Sequence, residues 1–212
     1  MTFSLILTGV LLILVCFNVG ESIYKKLNIK KTVLVLFLSL TLALYFVPNI
    51  NIAGVSFGWT GFVLPLIFSI MAIAKTKRLK TFLRMIVATL IAFALNIVYN
   101  LITFDVYESA ILQPYVFLAI FMGIGLLFVV QTPSRLYASM FVGIILAEIV
   151  FYLSRYSIYG DYYLTIGSEK VFSILLTSFT ASLLTFFFVR KVRTMSIRKR
   201  LKKAEKEIGL IN

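Results

Sequence analysis

Seven apolar runs, divided by clusters of lysine and arginine, leave this chain few ways to fold. The runs lie at about residues 3–19, 33–47, 59–74, 82–102, 115–130, 136–153 and 171–189. A helix that crosses a bilayer needs about 17–25 mostly apolar residues. Each run meets that length or reaches it with a flanking turn of Gly, Tyr or Thr. The basic clusters occupy every second gap. Lys25, Lys26, Lys30 and Lys31 follow the first run, and Lys75, Lys77, Arg78, Lys80 and Arg84 follow the third. Arg135 follows the fifth, and nine basic residues from Arg190 to Lys206 follow the seventh. Of the 21 Lys and Arg, only Arg155 and Lys170 fall in the alternate gaps. Cytoplasmic loops collect positive charge. The pattern therefore predicts an all-α, polytopic transmembrane bundle of about seven spans, with the N-terminus outside and the C-terminus in the cytoplasm. The expected division is 1–190 as bundle and 191–212 as a basic cytoplasmic tail.

Composition agrees. The chain is 61% hydrophobic, against roughly 45–50% in globular domains, and its mean hydropathy is +1.02. No water-soluble surface could hide that excess. The net charge of +13 is accounted for by topology, so no nucleic-acid partner is expected. The first run has no basic residues ahead of it and no A-x-A-like site. It is expected to stay as a helix and not to be cleaved.

Several chemistries are excluded by missing groups. There is no histidine and one cysteine, Cys16. A His general base, a haem His, a Cys/His pair and a zinc site are ruled out. The apolar runs hold no Asp pair for an aspartyl protease and no Lys for a Lys–Ser dyad. No enzyme activity, cofactor or metal is expected.

Polar residues inside the runs draw most of the attention. Glu148 interrupts "GIILAEIVFYLSRY". An ionisable group there costs about 2.5–3.5 kcal/mol on insertion scales. Ser139, Gly143 and Ala147 form a small-xxx-small row beside it, which lets another helix approach. Tyr152 and Arg155 follow on the same side of the helix. Asn96 and Asn100 share one face of the fourth run and are the expected long-range partners of Glu148. Two readings stand: a hydrogen-bonding pin between the sixth and fourth helices, or a proton, ion or solute site. Ser173, Thr177, Ser178, Thr180 and Ser182 in the seventh run are expected to bond back to their own helix. Pro65 is expected to kink the third. The uncharged stretch "NINIAGVSFGW" is expected to re-enter the membrane in part. The many tyrosines near the outer boundary are expected to anchor in the headgroup layer.

After the seventh run, Ile197, Leu201, Ala204 and Ile208 mark one helical face among basic residues. Arg198, Lys199, Arg200, Lys202 and Lys203 are expected to contact anionic lipid headgroups, with docking of a protein partner as the alternative.

Two segments, "LQPYVFLAIFMGIGLLFVVQTPSRLYASMFVGIILAEIVFY" and "LTIGSEKVFSILLTSFTASLL", carry a further pattern. Gly143, Glu148 and Tyr152 sit on one helix, and an Ile166-Gly167-Ser168 turn leads into the last. In this the chain resembles the YphA-like integral membrane proteins of Bacillus-type spore formers. That resemblance covers about the last half of the chain. It implies a helical fold in a bacterial plasma membrane and no catalytic residues. The expected role is a non-enzymatic interaction or accessory protein; the alternative is a small transporter or its substrate-binding membrane subunit.

Overall fold

The computed structural model describes residues 3–19, 31–52, 55–102, 115–159 and 164–209, without the side chains of 3, 4, 33, 155–159, 164 and 198–209. The fold is all-α in class, with seven α-helices among the described residues and one small sheet. The helices are α1 (Phe3–Cys16), α2 (Lys31–Tyr45), α3 (Leu64–Ala74), α4 (Leu79–Ile102), α5 (Tyr115–Gly125), α6 (Pro133–Tyr159) and α7 (Glu169–Gly209). A π-helical turn, Trp59–Val63, leads into α3, and a 3-10 turn, Leu126–Phe128, extends α5. The apolar parts of α4, α6 and α7 are long enough to cross a membrane, by length and composition. α4 has 24 residues, or about 36 Å at the helical rise, against a hydrocarbon core about 30 Å thick. The other apolar helices are shorter.

The core lies among α4, α5, α6 and α7. Small residues bring the backbones together there. Ser139 and Ala147 of α6 are buried, as are Ala88 and Ala92 of α4. A β-carbon at Gly143 would stand 2.6 Å from the Thr89 carbonyl oxygen and 2.8 Å from the Ala92 β-carbon. α5 meets α7 the same way, because a β-carbon at Gly123 would overlap the backbone of Ser178. Dispersion and close fit hold such crossings, since lipid tails offer apolar residues no less than another helix does. Met122, Leu126, Leu136, Met140 and Ile144 fill the space between.

The stretch expected to re-enter the membrane in part contains two short strands. β1 (Ile50–Ile52) pairs antiparallel with β2 (Val55–Phe57), and β2 pairs parallel with β3 (Leu164–Ile166). Its short run of alternating β-branched residues satisfies backbone groups across the ladder, which a lone loop could not do. Pro65 sits in the first turn of α3, and the break expected from it appears just upstream as the π-helical turn. There the Val63 N–H donates to the Gly58 carbonyl at 3.2 Å. Proline has no N–H for the regular ladder, and the wider turn accommodates the gap. Tyr115, expected as an interfacial anchor, is buried in the core.

At the other end of the bundle, Arg135 has a structural task. Its Nε donates to Thr76 Oγ1 at 3.1 Å, and Thr76 in turn bonds the Ala72 carbonyl. α1 and α2 stand at the margin, joined where Lys31 Nζ donates to the Cys16 carbonyl at 3.0 Å. α7 runs unbroken through residue 190 to Gly209. No change of backbone marks the expected boundary between bundle and tail.

Candidate polar site at the start of the last helix

Glu148 is buried on α6. Its Oε2 accepts the Gly167 backbone N–H at 2.9 Å, and its Oε1 accepts the Ser168 hydroxyl at 3.0 Å. Both partners belong to the turn between β3 and α7. The first N–H groups of a helix lack partners within it, and a carboxylate placed there meets both those donors and the positive end of the helix dipole. Gly167 holds a φ of +72°, which favours glycine. A β-carbon on it would also stand 2.5 Å from Phe62 Cβ. Gly58 and Gly61 press on the Gly167 carbonyl from the other side, closely enough that neither could carry a β-carbon. The Gly58 N–H donates to the Ile166 carbonyl at 2.9 Å. The turn is thus gripped between Glu148 and the π-helical turn.

A cavity of about 90 Å³ lies beside this contact, lined in part by Asn96, Asn100, Glu148, Tyr152, Ser168 and Lys170. The structure therefore gathers Glu148, Asn96, Asn100 and Tyr152 as the sequence suggested, but pairs them differently. The Asn96 amide donates to the Ala92 carbonyl at 2.9 Å and to Met122 Sδ at 3.4 Å. Asn100 Oδ1 accepts from Lys170 Nζ at 3.1 Å, and that ammonium also stands 4.9 Å from the Tyr99 ring centre. Among these contacts neither Asn bonds Glu148. The physical reason is local: the start of α7 offers orphan donors to the carboxylate, while the Asn96 amide serves its own helix and Asn100 takes Lys170.

The side chain of Arg155 lies outside the described residues. So do those of Arg198, Lys199, Arg200, Lys202 and Lys203. Gly167, Ser168 and Lys170 were missed as site residues. Their signal was present, because Ser ahead of Glu-Lys reads as a helix N-cap, and an N-cap next to an apolar run implies buried donors. Of the α7 hydroxyls, Thr180 bonds the Leu176 carbonyl at 2.8 Å and Ser182 the Phe179 carbonyl at 2.7 Å. Among the described residues the hydroxyls of Ser173, Thr177 and Ser178 have no hydrogen-bond partner, and Ser69 and Ser139 share that condition. That corrects the expectation for the first three. Ser178 lies at the crossing where its backbone meets Gly123 of α5, and Ser139 is buried on α6.

No family model, curated protein or solved structure matches the chain.

Proposed function

We propose that the chain is a multi-pass protein of a bacterial plasma membrane, N-terminus outside and C-terminus inside, that acts through interactions and not by catalysis. The observation that carries this reading is the state of Glu148. Both carboxylate oxygens are taken up by the Gly167–Ser168 turn, so the buried acid serves to join α6 to α7. The orientation rests on the distribution of basic residues. The resemblance to the YphA-like membrane proteins belongs to the same proposal. It draws support from one contact, because the Gly143–Glu148–Tyr152 helix and the Ile166-Gly167-Ser168 turn that carry it meet through Glu148.

A small transporter or substrate-binding subunit is the second reading. The cavity that Glu148 shares with Asn96, Asn100 and Lys170 favours it. At about 90 Å³ it has room for a few waters or a small ion, and it is well below the ~300–1,000 Å³ of drug-sized ligand sites.

Two measurements test the proposal. Single cysteines placed at residues 2 and 212 of a Cys16→Ser chain should react with a membrane-impermeant maleimide from outside and inside respectively. The same side for both would rule out the odd number of spans. Purified protein in proteoliposomes should then show no ion or proton flux above empty vesicles. Flux abolished by Glu148→Gln would replace the interaction reading with the transport one.

A further inference from the structure

α7 and the end of α5 enclose a groove of about 540 Å³. Leu127, Phe128 and Phe186 line its apolar part. Gln131, Arg190, Arg193 and Thr194 line its polar part, with Ile197 one turn beyond. The two arginines are three residues apart, hence neighbours on one helix face. Both are exposed, and neither guanidinium makes a hydrogen bond or ion pair among the described residues. Among the described residues no acidic side chain lines the groove. Free guanidinium forks at the edge of an apolar channel match a phosphate group bidentately.

Ile124 and Phe128 also line a second, neighbouring apolar hollow of about 680 Å³ that runs along α5 to Phe117. From Phe117 to Phe128 the helical rise gives about 16 Å, close to half of a ~30 Å hydrocarbon core. An apolar track one leaflet deep, leading to two cations where α7 turns from apolar to basic, has the dimensions and charge order of a phospholipid.

We infer that this groove is a binding site for one anionic phospholipid, its phosphate held by Arg190 and Arg193 and one acyl chain laid along α5. The inference rests on the membrane reading above and goes beyond it, because it assigns a specific site apart from the tail cluster at Arg198, Lys199 and Arg200. Two guanidiniums facing one phosphodiester leave a surplus of positive charge. The site therefore prefers a headgroup with no compensating cation.

The test uses the full chain, purified in mild non-ionic detergent and titrated with dioleoyl phosphatidylglycerol or dioleoyl phosphatidylcholine while native mass spectra count bound lipids. Wild type should bind one phosphatidylglycerol about tenfold more tightly than phosphatidylcholine. Arg190→Gln with Arg193→Gln should remove that preference and leave phosphatidylcholine binding unchanged. Arg198→Gln, Lys199→Gln and Arg200→Gln together should keep it. Gly125→Phe should weaken both lipids, since Gly125 lines the track and open space faces it. Equal affinities in wild type overturn the inference. So does loss of the preference in the tail variant with its retention in the Arg190/Arg193 variant. Extraction of the chain from membranes by alkaline carbonate would instead sink the membrane reading and the site with it.

Discussion

The two ends of the apolar part of α7 are held in opposite ways. At its N-terminal end, Gly58, Gly61 and Phe62 press on the Gly167 turn, and Glu148 takes its donors. Backbone lies on backbone there, so no side chain can yield to relieve a misfit. At the other end, near Arg190, the helix stands beside an open groove with exposed basic residues. The difference teaches where a helix in this bundle is fixed and where it is left to its surroundings. Fixation comes from glycine contacts and a buried acid, and the free end comes from charge with no acidic partner.

The sharpest way to break the comparison is steric. Gly61→Ala would drive a methyl group into the Gly167 carbonyl and should cost about 3 kcal/mol or more, read as a loss of thermal stability in mild detergent. Gly125→Ala is the matched control. Nothing lies within 4 Å of a β-carbon there, so it should be neutral or stabilising by about 0.5–1 kcal/mol. Equal losses at the two positions would remove the distinction between the ends.

Glu148 comes next. Glu148→Leu leaves the Gly167 N–H and the Ser168 hydroxyl without their acceptor and should cost about 2–3 kcal/mol. Glu148→Gln should stay within about 0.5 kcal/mol of wild type, because its amide oxygen can accept from Gly167 and its amino group can donate to the Ser168 oxygen. A stable Leu variant would mean that the acid is kept at a cost to the fold, as functional groups often are. Ser168→Ala removes one of the two bonds at a partly exposed position and should cost about 1 kcal/mol by the same melt. The smallest effect belongs to the free end. Arg190→Gln with Arg193→Gln should change stability by no more than about 0.5 kcal/mol in lipid-free detergent. A larger loss would show that this end, too, is held by protein contacts.

Much of the helical plan was legible because its signals are local. The run at 82–102 corresponds to α4 and the run at 136–153 to α6, since uninterrupted apolar composition and missing breakers are properties of adjacent residues. Ser139, Gly143 and Ala147 announced a close approach by their size alone. The partners of Glu148 were harder. Sequence offered Asn96 and Asn100 as the nearest polar groups on another helix, and spacing could not reveal that Asn96 serves its own helix. Nor could it show that the donors would be a backbone N–H and a hydroxyl nineteen and twenty residues downstream. A backbone donor is the same for every residue type but proline, so it leaves no mark on composition.

The sheet illustrates the same limit. β2 and β3 are parallel neighbours drawn from loops more than a hundred residues apart, and three-residue strands carry too little alternation to be read. The sequence by itself determined the apolar runs, the basic gaps between them and the small residues where helices could touch. It did so because transfer to a bilayer and close packing act residue by residue. Only the tertiary structure decided that the acid of α6 meets the start of α7, that three glycines from two loops press together there, and that two arginines face an apolar track. Those arrangements depend on which helices become neighbours, which no single segment encodes.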